Sequence, residues 1–271
     1  MSWVRKIGYY AYSTLEIILN FKDWHQLIPL FVKRADHDER VVRLRRPPVT
    51  MIVRSAMDVW SIKETFLDAF YTRYGVPVQD GWTVIDIGAA IGDFSIYAAY
   101  GNPNARIYAF EPFPESYQLL IKNLSLNALE NVTAFQEAIW GQSGRLSLEV
   151  STGEPLQVTS QKINLNGENP ELITVAARTL ANVIDALNLQ TVDLLKLDCE
   201  GAEYEILMTA PAETFAKIPR IIMEYHDLDR EHTHVHLIDF LMEKGYQVDW
   251  HKNLVHEEIG YLFASKMTPE D

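Results

Sequence analysis

Acidic side chains close a series of short apolar runs, and their spacing is the first chemical signal in the chain. Val84-Ile85-Asp86-Ile87-Gly88-Ala89-Ala90-Ile91-Gly92-Asp93 is a strand pattern, a turn of small residues and a helix start. Small residues at such a turn let a nucleotide-like ligand approach the backbone. A dinucleotide fingerprint would carry three glycines spaced to admit a pyrophosphate at the helix N-terminus. Here Asp86 precedes the first glycine instead. That suits a ligand with positive charge and no phosphate. Glu111, in Ala109-Phe110-Glu111-Pro112, lies 19 positions beyond Gly92, where a carboxylate can accept from both hydroxyls of a ribose. Gln136-Glu137-Ala138 closes a third run, from which a side chain can reach the exocyclic amine of an adenine, and Phe113 is placed to cover the ring.

Three acidic run ends in this order fit one adenosine whose neighbouring sulfur is cationic, which is S-adenosylmethionine (SAM). The reading places Asp86, Gly88, Ala89, Gly92, Glu111, Pro112, Phe113, Glu137, Ala138 and Asp198 around it. A fourth run ends in Leu195-Lys196-Leu197-Asp198-Cys199-Glu200-Gly201-Ala202-Glu203, and a fifth in Met223-Glu224-Tyr225-His226-Asp227. By the period of two in a strand, Lys196 and Asp198 share a side. The sulfonium already activates the methyl, so the protein has to align an acceptor and exclude water. An aliphatic hydroxyl is a poor nucleophile, and Asp198, Glu200 and His226 are the candidates to take its proton. Glu203 and Glu224 are candidates to position further hydroxyls, although Glu203 also fits a helix start stabilised by the helix dipole. Cys199 has no activating neighbour and reads as a packed thiol. His232, His234 and His236 alternate across a helix start without a geometry for one metal, and no metal is expected.

The elements that must position these residues change character near Gly81. Beyond it, apolar runs alternate with helical patterns, as in βαβ units. Strands are expected at Thr83 to Ile87, Arg106 to Phe110, Val132 to Gln136, Val192 to Leu197 and Arg220 to Tyr225, with an antiparallel pair at Tyr246 to Trp250 and Tyr261 to Ser265. Helices fall at Phe94 to Tyr100, around Tyr117, Leu120, Ile121 and Leu124 as one face, and at Val235 to Lys244. Residues 145 to 176 depart from this pattern. Leu146, Leu148 and Val150, then Ile173 and Val175, alternate with polar residues, which predicts a hairpin excursion with a polar loop around Asn164 to Asn169. Thr179 can cap the helix that returns to the sheet.

Residues 1 to 80 lack a complete βαβ unit and read as a smaller α+β cap over the active-site edge, with 81 to 271 as the main domain. Within the cap, Val49 to Val53 reads as a strand and Val59 to Tyr74 as a helix. The charged stretch Asp36 to Arg46 is either a solvated edge or an anion or glycan contact. The apolar stretch Ile7 to Leu19 is too short to span a membrane and has no cleavage site after it. It reads as a helix packed on its own protein, with a membrane-surface or partner-binding helix as the alternative.

A net charge of −13 opposes a phosphate backbone, so nucleic acid is disfavoured. The single cysteine excludes an intrachain disulfide and points to the cytoplasm. Oligomerisation stays open.

The strings VIDIGAAIGDFS, YAFEP, EAIWG, LLKLDCEGAEYEIL and IIMEYH, in that order, resemble the FkbM family of SAM-dependent methyltransferases. The resemblance implies a doubly wound, mostly parallel seven-stranded class I methyltransferase (Rossmann-like) sheet. It implies Asp86, Gly88 and Gly92 at the methionine end, Glu111 on the ribose, Glu137 near adenine and Asp198 beside the methyl. It further implies O-methylation, with a sugar or glycan hydroxyl as the expected acceptor and a polyketide-like natural product as the alternative. Methylation of a nucleobase or protein nitrogen, a nicotinamide-dependent oxidoreductase and a non-catalytic SAM-binding or nucleotide-binding protein are the rival readings. The first lacks its Pro-Pro-Tyr/Phe signature at the fourth strand.

Overall fold

Residues 3–32, 38–151, 154–156, 171–253 and 255–266 are described by the computed structural model. The polar loop expected at Asn164 to Asn169 falls outside them. Helices α1 (Trp3–Asn20) and α2 (Trp24–Val32) open the chain and bury Ile17, Leu27 and Leu30. None of the described helices is long and apolar enough to cross a membrane. Strands β1 (Arg40–Arg43) and β2 (Thr50–Val53) form an antiparallel hairpin. Part of the charged stretch is therefore a strand edge. There Arg43 grips Asp23 with two nitrogens, at 2.9 and 2.7 Å, the bidentate form that gives such pairs their geometric specificity.

Helix α3 (Ala56–Phe66) starts at a capping box, in which the Ser55 hydroxyl accepts from the Asp58 amide and the Asp58 carboxylate accepts from the Ser55 amide. The single helix expected from Val59 to Tyr74 is broken. Ala69 adopts φ 52, a left-handed conformation that ends the first helix and redirects the chain into α4 (Phe70–Arg73).

The βαβ region then runs β3 (Thr83–Ile87), α5 (Asp93–Ala99), β4 (Arg106–Phe110), α6 (Pro114–Leu126) and β5 (Val132–Phe135). The buried face of α6 is Ser116, Leu119, Leu120, Asn123 and Leu124, whereas Ile121, expected on that face, is exposed. A buried amide causes the rotation. Asn123 accepts the Ile52 N–H at 2.6 Å and donates to the Ile91 carbonyl at 2.9 Å, tying β2 to the sheet domain through polar atoms that hydrophobic periodicity does not register.

After Phe135 the chain leaves the main sheet. Strands β6 (Ala138–Ile139), β7 (Gly144–Ser151), β8 (Glu154–Leu156) and β9 (Glu171–Arg178) make a second sheet in the order β6-β9-β7-β8. The β7–β9 pairing is antiparallel, as the alternation predicts, and buries Leu146, Leu148 and Val175. Thr179 caps α7 (Leu180–Ala186) by accepting the Asn182 N–H at 3.2 Å. The remaining elements are β10 (Leu194–Leu197), α8 (Glu203–Met208), α9 (Ala212–Ala216), β11 (Arg220–His226), α10 (His234–Glu243), β12 (Tyr246–Lys252) and β13 (Ile259–Lys266).

The main sheet has seven strands in the order β12-β13-β11-β10-β3-β4-β5, and β13 runs antiparallel to both its neighbours. This is the doubly wound class I methyltransferase arrangement, with the strand order reversing between β3 and β10. Strands β3 and β10 are buried along their whole length, yet each contains a charge. Asp86 and Lys196 are register partners across the β3–β10 pair, with the ammonium 3.0 Å from the carboxylate. Lys196 also donates to the Gly88 carbonyl at 2.9 Å, and Ser95 donates to the other Asp86 oxygen at 2.6 Å. Removing one member of a buried pair leaves the other charge uncompensated, so Lys196→Met is expected to cost about 3–5 kcal/mol of stability in urea unfolding. Adding Asp86→Asn to that variant should recover part of the loss. A Lys196→Met protein as stable as the parent would refute this role.

Candidate active site

The carboxyl ends of β3, β4, β10 and β11 open onto a cavity of about 330 Å³ at the point where the strand order reverses, the usual ligand position in such sheets. The turn after β3 is packed against the tip of β10. A Cβ on Gly88, whose φ is +76, would lie 1.8 Å from the Asp198 carbonyl oxygen, so only glycine fits there. Next to it, Ala90 takes φ 46 and donates its N–H to Glu111 Oε2 at 2.8 Å. The Phe113 N–H donates to Glu111 Oε1 at 2.9 Å. Glu111 is thus clamped between two loops. Burial pushes its pKa up to about 7 against the opposing effect of those two N–H groups.

Gly88, Glu111, Pro112, Phe113, Asp198, Glu200 and His226 all line the cavity. Five other residues expected around the ligand do not. Asp86 is fully buried beneath the turn, its charge cancelled by Lys196. Ala89 is buried and donates its N–H to the Phe110 carbonyl. Gly92 starts α5 with φ +90, and a Cβ there would meet Leu120 at 2.5 Å. Glu137 and Ala138 have left with the second sheet, where Glu137 faces Arg178 at 3.4 Å and Ala138 pairs with Ala177.

Asp198 accepts the Tyr71 hydroxyl at 2.8 Å and lies 3.9 Å from the Lys196 ammonium. His226 sits between two carboxylates, with Nδ1 3.3 Å from Glu203 Oε1 and Nε2 3.4 Å from Glu200 Oε2. Burial alone would lower its pKa. The hydrogen bond and charge of Glu203, with Glu200 and Glu224 behind them, outweigh burial and raise it to about 10. At neutral pH the ring is an imidazolium. Glu203, expected to position an acceptor hydroxyl, is instead fully buried and accepts the Cys199 N–H at 3.1 Å. Cys199 is a buried thiol whose pKa burial raises, as expected for a packed residue.

Sequence reasoning missed the residues that the first 80 positions bring to the same cavity, among them Arg54, Trp60 and Glu64. No spacing signal marks them, because they reach the site only by packing across the fold. Glu64 accepts the Trp60 indole N–H at 2.9 Å. Its pKa is pushed up to about 8 by burial and then by the charges of Asp198 and Asp68. Glu224 is raised well above the usual carboxylate range by burial, Asp198 and Glu64. Three carboxylates, Glu64, Asp198 and Glu224, therefore face one space. His232, His234 and His236 pair separately, with Asp229, Asp227 and Thr233, and no group able to hold a metal occurs among the described residues.

The chain matches the Methyltransferase FkbM domain over residues 86–248, more than half its length. It belongs to the FkbM methyltransferase family. Among its relatives, Methyltransferase sdnD of Sordaria araneosa is 31% identical over 189 residues, covering 60% of this chain and 72% of that protein. The 31-O-demethyl-FK506 methyltransferase FkbM of Streptomyces tacrolimicus is 26% identical, over 62% of this chain and 74% of that one. The 2-O-methyltransferase NoeI of Sinorhizobium fredii is 25% identical, over 53% and 63% respectively.

As an FkbM-family enzyme the protein uses SAM as its methyl donor. The donor set fits that group. Glu64, Glu111, Asp198 and Glu224 line the cavity, a composition compatible with a ligand that carries a sulfonium and an ammonium, and Arg54 is the one Lys or Arg side chain among the described lining residues.

The protonation state of His226 is directly measurable. Its imidazole signals should titrate near pH 10 in NMR, and Glu203→Gln should lower that midpoint by more than a unit. Because the folded pKa lies above the ordinary 6.5, this interaction stabilises the protein fully below about pH 6.5 and is lost as pH rises through about 10. The unfolding free energy should fall across that window, less steeply in Glu203→Gln. A midpoint near 6.5 in the unmodified protein would refute the arrangement.

Proposed function

We propose that this methyltransferase transfers a methyl group to a hydroxyl oxygen, and that the hydroxyl belongs to a sugar or glycan. The observation that carries the reading is the convergence of Glu64, Asp198, Glu200 and Glu224 on one cavity. Carboxyl groups exchange hydrogen bonds with several hydroxyls at once, and the charge of those that are ionised repels phosphorylated acceptors. Two of the relatives are named for transfer to oxygen. SAM supplies a methyl already activated by its sulfonium.

In this reading Glu111 binds the ribose. Each of its oxygens accepts one backbone N–H and keeps a lone pair for a hydroxyl. Gly88 lets the donor lie against the backbone, and Phe113 covers the adenine. Asp198, fixed by Tyr71, lies beside the methionine end. The protonation states decide among the proton acceptors. An imidazolium cannot take a proton, so His226 acts as a positioning residue for Glu200. Glu224 is the better base once ionised, because its raised pKa makes that carboxylate more basic than an ordinary one. Residues 1 to 80 form the cap, and they choose the acceptor together with the 145 to 176 excursion, which contributes Leu148 to the cavity. The single cysteine, Cys199, is buried, in keeping with a cytoplasmic setting.

Incubation with isotopically labelled SAM and a panel of polysaccharides, glycosides and nucleotide sugars, followed by mass mapping, should place the label on a sugar oxygen. Label found only on nitrogen would overturn the reading. Activity should rise with pH above neutrality, since burial and the charge of Asp198 hold Glu224 protonated well above the usual carboxylate range. Glu224→Gln should lower kcat by about 10²–10⁴-fold, the usual contribution of a general base. A fall of less than tenfold would remove Glu224 from that role.

A further inference from the structure

A second cavity, of about 580 Å³, lies between α1, α2 and α3 and is quite unlike the first. Its walls include Tyr9, Tyr10, Trp24, Leu27 and Phe31. Among its described lining residues the only carboxylate and the only imidazole are Glu64 and His256, and none is a Lys or Arg. Both of those polar groups also line the acidic cavity, as do Met57, Trp60 and Asn253. The two spaces therefore adjoin, with Trp60 and Glu64 in their shared wall. One end carries the converging carboxylates, and the other is aromatic and aliphatic.

Its volume falls within the range of about 300–1,000 Å³ typical of small-molecule sites. Tyr10, Phe31 and Met57, along its walls, are each about half exposed, at 46, 48 and 52%. These half-exposed side chains leave apolar surface along the groove that a bound apolar chain would cover.

We infer that the acceptor is an amphiphile, whose hydroxylated head enters the acidic cavity while an apolar tail, acyl or isoprenoid in character, lies in this groove. The inference rests on the hydroxyl-acceptor reading and narrows it. This adjacency identifies the occupant, because a molecule in the groove that also reaches past Glu64 must change from apolar to hydroxylated at Trp60. The lack of a lysine or arginine among the described lining residues favours a tail joined to a neutral head over one joined through phosphate.

The test compares methyl and octyl pyranosides, kept below micelle-forming concentrations, in calorimetric binding and in methyl transfer with the full chain. A fully buried methylene is worth about fourfold in affinity, so the octyl compound should bind at least about a hundredfold tighter. A Tyr10→Ser, Phe31→Ser double variant changes two exposed side chains that are outside the buried core. It should lose about tenfold or more of the octyl preference while binding the methyl pyranoside as the parent does. Equal affinity for the two pyranosides would overturn the inference, and so would an octyl preference untouched by the double variant. Binding to phosphatidylcholine vesicles that depends on Tyr10 and Phe31, without discrimination between the pyranosides, would assign the groove to a bilayer and also overturn it. Transfer to methyl and octyl pyranosides alike, with no tail dependence, would leave the hydroxyl-acceptor reading standing alone. Tail-dependent binding without transfer to any hydroxyl would count against that reading and leave the groove as an apolar binding site.

Discussion

The buried ion pair between Asp86 and Lys196 sets the geometry on which the rest of the site depends. Neither charge would be tolerated alone in the middle of the sheet. Burial by itself would lower the lysine's pKa, yet the carboxylates of Asp86, Asp198 and Asp93 hold it charged. Its ammonium therefore bonds two separate pieces of chain, the carboxylate of β3 and the carbonyl of Gly88 in the turn above. That fixes the turn against β10, where the Gly88 Cα and the Asp198 carbonyl pack with no room for a side chain. The backbone that faces the ligand cavity is thus held from below by electrostatics and from the side by close packing.

Because Lys196 neutralises Asp86, the acidity of the cavity comes from elsewhere. Glu64, Glu111 and Glu224 all have raised pKa values, first through burial. Carboxylates crowded in this way resist ionising together, and a cation entering among them relieves the repulsion. His226 is the exception that organises one side of the cluster. Held between Glu203 and Glu200, it carries a positive charge at neutral pH and links β11 to the chain around the start of α8. A histidine at a strand tip suggests a base, and here its carboxylate neighbours raise its pKa to about 10.

The first 80 residues are integral to the structure. Ile17, Phe21, Leu27, Val42, Met51 and Ile62 share one hydrophobic cluster with Ala89, Ile96, Leu120 and Leu124 of the βαβ region. Asn123 and Asn127 add hydrogen bonds from α6 to β2. This shared core is what carries Arg54, Trp60 and Glu64 to the cavity wall, and it leaves the aromatic groove open beside them.

The order of the main strands, the glycine turn, the position of Glu111 and Asp198 just past strand ends and the hairpin excursion were all legible in the sequence. Each rests on local chemistry: apolar period, glycine spacing, and a carboxylate at a strand end. Even there, periodicity misplaced Ile121, because the buried amide of Asn123 rotates α6. Tertiary packing alone decided which of the acidic residues face the cavity at the strand ends. Asp86 and Glu203 are spent on buried partners, and Glu137 departs with a second sheet. Glu64 arrives from a helix more than 130 positions before Asp198. A carboxylate's exposure, protonation and company depend on what lies across from it in space, and a linear chain carries that information only once the sheet has closed over its neighbours.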